Sequence, residues 1–496
     1  MKTEELFDRC QQLAQTSVPT GATNRYMHET LVLSCAEGLR DTGQAYGNVF
    51  SQVDYLCKRS GISLADKIAI QTMRRHSNSQ EPLRREDLLY DVRTLCLFVS
   101  AVFSVDIPDR LVRLIPTVNR QHETGRGVDY RYIRCIVSRC DDQYIYADTE
   151  DGEVAIDYLY QEKGIDHTYL RPVVREGMQL NLLDVETGAG SQGILRPRLI
   201  VVEPDFLVDI SAVAACFTDY GHHPLLYTVN RLKERANTQP ILLGNFADTA
   251  LDDIINREGG GLADSLPRSF REQALQYCTC EGFNAPDFRR DAQQRIDHLR
   301  EAVALLFGKG DDGLRQSPAF NREKVILEPS FICERLGLQG RVDLMTTDMR
   351  LLVEHKSGKN YNIELRINTQ DAELRRQGTH GLQLESHYVQ LLLYYGVLRY
   401  NFGVSDAKAD IRLLYSKYPA RQGLLVVNYY QQLFREAIKF RNQLVATEYY
   451  IAQHGFARIL PHLTPSVIYA GQQKDTFFTR YVEPKLSTIN CQLSLP

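Results

Sequence analysis

The chain has 496 residues, which is too many for a single hydrophobic core, so roughly two to four domains are expected. Its 43% hydrophobic and 24% charged residues are typical of an ordinary soluble globular protein. A formal net charge of −4 excludes a global positive field, so any nucleic-acid site must be a local basic patch.

The cysteines and the apolar runs bear on the cellular compartment. Eleven cysteines lack framework spacing, and no signal peptide is seen at the start, which predicts reduced thiols and a cytoplasmic location. The longest apolar run, residues 95–105, falls short of the ~20 residues needed to span a bilayer. We therefore expect a buried core helix there and no membrane contact.

Residues 1–115 are predicted to form a helical domain. After Thr3, the segment 3–15 has apolar positions at helical spacing and acidic residues in its first turn. Two further stretches in this range continue the pattern. No chemistry is evident, so packing or protein contact is the expected role.

Residues 116–215 change to strongly alternating segments with a turn signal at Asp151-Gly152, which predicts a small β-barrel of OB-like type. Basic and aromatic side chains are interleaved there, as single-stranded nucleic acid requires for stacking. They are Arg126, Tyr130, Arg131, Tyr132, Arg134 and Tyr144. The high β propensity of tyrosine explains the same pattern equally well.

Residues 328–358 carry the most informative pattern of the chain. Apolar residues alternate on both sides of a polar break at residues 346–348, which predicts a β-hairpin or meander. Glu354 and Lys356 then share one strand face and His355 lies on the other. If the two arms pair across the break, Asp343 comes beside Glu354.

Two carboxylates and a lysine at one sheet surface suit metal-assisted phosphodiester hydrolysis. Carboxylate oxygens bind hard divalent ions, and a nearby lysine can position water or stabilise developing charge. On its own, Glu-x-Lys on a strand is more often a solvated pair. The combination with Gly340-Arg341-Val342-Asp343, separated from Glu354 by ten residues, is much rarer by chance.

At these residues the chain resembles the PD-(D/E)XK nucleases, in particular the RecB-like branch. That branch has a strand with Gly and Asp, a (D/E)-x-K strand, and a helix with Gln and Tyr one turn apart, as at Gln390 and Tyr394. The resemblance covers roughly residues 240–450. It is closest to the nuclease part of the helicase–nuclease that trims Okazaki flaps.

The resemblance implies a role for each site residue. Asp343 and Glu354, with the backbone carbonyl of His355, would hold Mg²⁺ or Mn²⁺, and Lys356 would position the attacking water. Glu328 would orient a ligand or water, or bind a second ion. Gln390 and Tyr394 would contact the region of the scissile phosphate.

The chain departs from the family at three points. Asp248 or a neighbour stands where the family usually has a histidine ligand. Either Asp248 replaces that histidine as an oxygen ligand, or the site binds its metal less well. Iron–sulfur members of the branch have one cysteine before the nuclease core and three clustered after it. Here only Cys491 follows Tyr394, so the four ligands cannot be assembled in that order and no cluster is expected. No P-loop motif occurs, so a helicase motor would be a separate module or subunit.

These features predict an α+β multidomain protein with a central mixed sheet flanked by helices in its nuclease module. The expected domains are helical (1–115), OB-like (116–215), nuclease (216–465) and a tail or linker (466–496). The leading function is a metal-dependent nuclease for single-stranded or flap DNA in repair, replication or defence. The alternatives are an inactive DNA-binding module of nuclease fold and a scaffold that recruits a partner motor.

Overall fold

The computed structural model describes the chain except residues 1–2, 44–45, 47, 119–131, 151, 163, 188–193, 219–220, 233–236, 257–260, 309–319, 371–380, 405–408 and 469–496. Arg126, Tyr130, Arg131, Cys491 and most of the predicted tail therefore lie outside the described residues. The chain divides into two compact units, Met1–Ile200 and Val201–Pro496. Within the described ranges, no helix is long and apolar enough to cross a membrane.

The first unit begins with helices, as predicted for residues 1–115. They are α1 (Thr3–Gln15), α2 (Gly21–Leu39), α3 (Val49–Arg59), α4 (Leu64–Ser77), α5 (Arg85–Phe103) and the single turn α6 (Asp109–Val112). Two starts are capped by side chains, since Asn48 accepts from the Ser51 amide and Ser63 from the Asp66 amide. The apolar run 95–105 lies largely within α5, whose buried face joins α1 in one core.

Five strands follow in the range predicted to be a barrel. They are β1 (Tyr132–Cys140), β2 (Tyr144–Thr149), β3 (Gly152–Asp157), β4 (Gln179–Thr187) and β5 (Ile194–Val202). Their order is β1-β2-β3-β5-β4 in a closed barrel. β3 pairs with β5 in parallel, and the other described pairs, β1–β2, β1–β4 and β2–β3, are antiparallel.

Charged side chains join the helices to the barrel inside the first unit. Buried Lys67 forms an ion pair with Asp54 of α3, and its Nζ also lies 3.8 Å from Asp148 Oδ2 of β2. Lys58 of α3 reaches the same Asp148 oxygen at 2.9 Å from its Nζ. A buried lysine needs such partners because desolvation of its charge is costly. The helical and barrel segments, predicted as separate domains, thus belong to one compact unit.

The second unit starts with short elements and then becomes helical. These are β6 (Val208–Asp209), α7 (Ile210–Ala214), β7 (Phe217–Thr218), β8 (Gly221–His222), α8 (Leu226–Leu232), α9 (Gln239–Asn256), α10 (Leu262–Glu272), α11 (Ala274–Thr279) and α12 (Ala285–Phe307). The boundary between the two units falls at the end of β5, and the following residues up to 215, which the sequence analysis grouped with the barrel, belong to this unit. The reason is that Val208 pairs with Leu338, far along the chain.

The remaining elements complete the second unit. They are β9 (Val325–Leu327), β10 (Ser330–Cys333), β11 (Leu338–Arg341), β12 (Leu344–Thr346), β13 (Leu351–Lys356), α13 (Tyr361–Asn368), α14 (Glu385–Phe402), β14 (Asp410–Tyr415), α15 (Ala420–Gly423), β15 (Leu424–Val427), α16 (Gln431–His454) and α17 (Pro465–Ile468). Strands β10, β11 and β6 form a small sheet in that order.

The central sheet of this unit has the order β15-β14-β13-β12-β9. Only β13 and β14 are parallel, so the sheet is mixed. Leu351 and Val353 on one face of β13 share a core with α9 and α12. Side chains on the other face meet α14. The two faces of β13 therefore have different partners, and this separation positions the candidate site.

His222 contacts two helices of the second unit through one glutamate on each, and a substitution of His222 therefore tests how these helices are held together. Its Nε2 lies 2.9 Å from Glu385 Oε2 of α14 and its Nδ1 2.9 Å from Glu436 Oε1 of α16. Hydrogen bonds to Glu385 and then to Glu436 raise the pKa of His222 to about 9. The stabilisation is therefore complete below the usual pKa of about 6.5 and is lost as pH rises through about 9.

We expect His222→Gln to destabilise the second unit by about 1–2 kcal/mol below pH 6.5, where the wild-type imidazole is charged. The difference between parent and variant should shrink as pH rises through 9. Urea unfolding at a series of pH values measures it. A difference that stays constant from pH 6 to about 10 would show that the charge of His222 is not involved.

Candidate functional site

The pairing of β12 with β13 brings two carboxylates together. Leu344 pairs with Val353, so Asp343, immediately before β12, stands opposite Glu354. This is the juxtaposition predicted for arms that pair across the polar break. The segment 328–358 forms two hairpins in two sheets, however, rather than one hairpin or meander. The break is also shorter than expected, because Thr346 is buried within β12.

Glu354, Lys356 and Gln390 form a closed set of hydrogen bonds on the α14 side of the sheet. Lys356 Nζ donates to Glu354 Oε1 at 2.7 Å and to Gln390 Oε1 at 3.0 Å. Gln390 Nε2 donates to the same Glu354 oxygen at 2.7 Å. Strand alternation explains why residues 354 and 356 share this face, and one helical residue then fixes both of them.

The second oxygen of Glu354 has no such partner. Glu354 is 2% exposed, and its Oε2 is buried without a hydrogen bond. Burial, followed by the neighbouring charge of Asp343, raises the pKa of Glu354 to about 8 despite Lys356. Burial also raises the pKa of Asp343. A buried oxygen without a hydrogen-bond partner and two neighbouring acids with raised pKa values are features that a bound cation would compensate.

His355 faces the opposite side of the sheet, as strand alternation predicts. Its ring is 1% exposed and its Nδ1 lies 2.7 Å from Asp248 Oδ1 on α9. Its Nε2 lies 2.8 Å from Ser416 Oγ, which follows β14. Its backbone amide donates to Asp343 Oδ2 at 2.6 Å. The metal role predicted for its carbonyl remains a prediction.

Tyr394 packs against the strand that precedes Asp343. Its hydroxyl donates to the Arg341 carbonyl at 2.6 Å. A Cβ at Gly340 would stand 2.8 Å from the Tyr394 ring, so only glycine allows this contact. Tyr394 lines the same cavity as Gln390, one helical turn away. Tyr394 is mostly buried, so its packing in the core explains much of why a tyrosine occupies this position of α14.

Glu328 occupies a different position from that of the other predicted residues. Its carboxylate forms an ion pair with Arg341, at 3.1 Å between Oε2 and Nη1. It does not line the cavity described below, although its amide donates to the Asp343 carbonyl at 3.0 Å. Its predicted role at a ligand, a water or a second ion therefore remains a prediction.

A cavity of about 620 Å³ joins the two sheets of the second unit at these residues. Its carboxylates and cations are Asp209, Asp248, Asp343, Glu354, Arg341 and Lys356; the other lining residues are Ser211, Ser330, Phe331, Ile332, Gln339, Gly340, His355, Gln390 and Tyr394. When all four acids are ionised, the lining carries two more negative than positive charges, and the electrostatic field inside the cavity then favours cations. Polyanionic nucleic acid would approach such a field only if cations offset it.

The donor set suits a lightly held divalent ion better than a closed metal cage. Among the described residues, no group of three or more His, Cys, Asp or Glu side chains is arranged to hold a metal ion. Mg²⁺ is often bound by one or two carboxylates, with water and substrate phosphates as its other ligands. Asp343 and Glu354 fit this role, and the Glu354 Oε2, which is buried without a hydrogen bond, is an oxygen that could ligate the ion.

Ser416 and Gln339 are among the residues of the site that the sequence analysis missed. Ser416 bonds His355 although it lies 61 positions away. Gln339 lines the cavity and donates to Asp209 Oδ1 at 2.9 Å. Neither stands in a motif. The only available signal was the position of Ser416 directly after the strand 410–415, because ligands gather at the carboxyl ends of parallel strands.

Comparison with models of known protein families finds no match to this chain, and comparison with curated proteins finds no significant match either. The nuclease resemblance therefore depends on the motif residues and their geometry alone.

The raised pKa of Glu354 predicts how the metal-free protein responds to pH. Since this pKa is above that of an ordinary glutamate, the stabilisation from the protonated carboxyl is complete below about 4.5 and is lost as pH rises through about 8. We expect Glu354→Gln to remove that loss and to be more stable than the parent at pH 8–9, by about 1 kcal/mol or more.

Urea unfolding in EDTA measures this effect. Glu364→Gln is the control of opposite sign, because Lys359 and then Lys417 lower the pKa of Glu364 to about 2. That variant should lose stability at neutral pH. A Glu354→Gln protein that is less stable than its parent at pH 8–9 would contradict the raised pKa.

Proposed function

We propose that the chain is a divalent-metal-dependent deoxyribonuclease of the PD-(D/E)XK type, with Mg²⁺ or Mn²⁺ as its cofactor. The observation that carries this proposal is the position of Asp343 opposite Glu354, together with Lys356 and Gln390 bonded to one Glu354 oxygen while the other is unpaired. A solvated surface pair would have neither the burial nor the second carboxylate.

Each residue has a distinct task in this proposal. Asp343 and Glu354 would hold the divalent ion, which when bound supplies neutralisation of phosphate charge and activation of water. Lys356 would orient the attacking water and stabilise negative charge as it develops. Gln390 would keep the Lys356 amine directed at Glu354, since it accepts one hydrogen bond from Lys356 and donates another to Glu354.

Two features of the fold support the finer assignments. In the central sheet the acidic hairpin β12–β13 is followed by helices and then by β14, parallel to β13, as in the nuclease module we propose. In the first unit the order β1-β2-β3-β5-β4, with β3 parallel to β5, supports an OB-like barrel. OB-folds commonly bind single strands, so single-stranded or flap DNA is the substrate that we propose.

A second candidate is an inactive nuclease fold that binds DNA, acting as a module or scaffold of a helicase complex. Asp248 in place of the family's histidine motivates it, as does the lack of a three-residue metal group among the described side chains. This alternative predicts DNA binding that does not depend on metal and no turnover at any Mn²⁺ concentration.

A time course with the full chain distinguishes the two candidates. Labelled single-stranded, flap and duplex DNA are incubated with Mn²⁺, with Mg²⁺ and with EDTA. The proposal expects cleavage of the single-stranded and flap substrates with either ion and none in EDTA. Binding without cleavage under every metal condition would favour the inactive module. Addition of candidate helicases then tests the partner motor that the resemblance implies.

A further inference from the structure

A chain of hydrogen bonds behind the candidate site has no part in the reaction proposed above. It joins Asp248 Oδ1, His355 Nδ1, His355 Nε2 and Ser416 Oγ, with distances of 2.7 and 2.8 Å. The His355 ring and Ser416 are buried, whereas the Asp248 side chain is 52% exposed and faces the cavity. An exposed aspartate on a helix surface is ordinarily free to change rotamer, and this one is held.

The direction of these hydrogen bonds follows from the chemistry of the groups. An ionised carboxylate can only accept, so the hydrogen of the ring must be on Nδ1. In a neutral imidazole Nε2 is then an acceptor, which the Ser416 hydroxyl can satisfy as donor. The backbone of Ser416 is itself fixed. The Ser416 amide donates to the Lys356 carbonyl at 3.0 Å, and His298 Nδ1 lies 2.9 Å from the Ser416 carbonyl oxygen.

His355 also contacts Asp343, another acid of the cavity. Its backbone amide donates to Asp343 Oδ2, while its ring contacts Asp248. We propose that His355 is a positioning residue, which holds the Asp248 carboxylate at the cavity so that its charge strengthens the divalent-ion site. This inference rests on the proposed function, since it concerns the ion that Asp343 and Glu354 would hold.

Two substitutions separate this role from simple packing. In His355→Asn the side-chain amide can reach the position of Nδ1 and still donate to Asp248. In His355→Gln the amide reaches the position of Nε2, near Ser416, and the bond to Asp248 is lost. We expect His355→Gln to weaken Mn²⁺ binding by about tenfold or more, as for other groups that orient metal ligands. His355→Asn should stay closer to the parent.

Calorimetric titration of MnCl₂ into the full chain without nucleic acid supplies the measurement, and thermal melting checks the fold of each variant. If His355 acts through Asp248, His355→Gln should add little to the effect of Asp248→Asn in the double variant. Equal losses in the Asn and Gln variants, or additive effects in the double variant, would overturn the inference.

The outcomes also separate this inference from the proposed function. A parent chain that binds no Mn²⁺ overturns both. A parent that binds Mn²⁺, with affinity unchanged in Asp248→Asn, overturns only the role of His355. Should His355→Gln fail to fold, Ser416→Ala and Asp248→Asn decide the question: both must weaken Mn²⁺ binding, Asp248→Asn the more strongly, for the inference to stand.

Discussion

Lys356→Ala should lower DNA cleavage by at least about 10²–10³-fold while folding and DNA binding change little. The reason is geometric: the amine donates to Glu354 Oε1 and to Gln390 Oε1, so it is directed at the carboxylate proposed to hold the ion. A group that stabilises charge only as it develops contributes to the chemical step more than to binding. The loss should therefore appear in kcat.

Lys359→Ala is the matched control for this prediction. Lys359 lies three residues further along the chain, but its side chain is 65% exposed and forms an ion pair with Glu364 instead of a cavity residue. Single-turnover cleavage of labelled single-stranded DNA with Mn²⁺ measures the effect, and electrophoretic shifts in Ca²⁺ measure binding. Undiminished cleavage by Lys356→Ala would remove the central claim of the proposed function.

The parts of the site that follow from local pattern could be predicted from sequence. Alternation places Glu354 and Lys356 on one face and His355 on the other, and the structure agrees. The position of Asp343 opposite Glu354 also follows, because a short polar break between two apolar runs fixes the register of the arms. These inferences require only the twofold period of a strand.

The parts that depend on contacts distant in sequence could not be predicted. Ser416 reaches His355 only because β14 lies beside β13 in parallel. The two-residue strand β6 has no periodic signal, and its pairing with β11 was accordingly missed. The burial of Glu354 and the half-buried position of Asp343 also have no sequence signal, since acidic residues are ordinarily exposed. Burial is what separates this site from a solvated pair.

A buried arginine on α16 holds the hairpin that forms one wall of the cavity. Arg441 is fully buried, and its guanidinium donates to the Gly337 carbonyl at 3.2 Å and to those of Glu203 at 2.9 Å and Phe206 at 2.6 Å, as well as to Val202. Gly337 makes the turn between β10 and β11 with a φ of +61°. A Cβ there would collide with Arg441, so glycine is required twice over.

Arg441→Met should therefore destabilise the second unit by about 3–5 kcal/mol, because several buried carbonyls lose their donor at once. Methionine fills part of the volume but cannot donate a hydrogen bond. The control is Gln432→Met, which introduces the same side chain at an exposed position of the same helix. Urea unfolding is monitored by hydrogen exchange in peptides from residues beyond 200, so that the stability of this unit is measured separately. Stability within about 1 kcal/mol of the parent would mean that water replaces the guanidinium at these carbonyls, and the hairpin wall would then be held by its strand pairing alone.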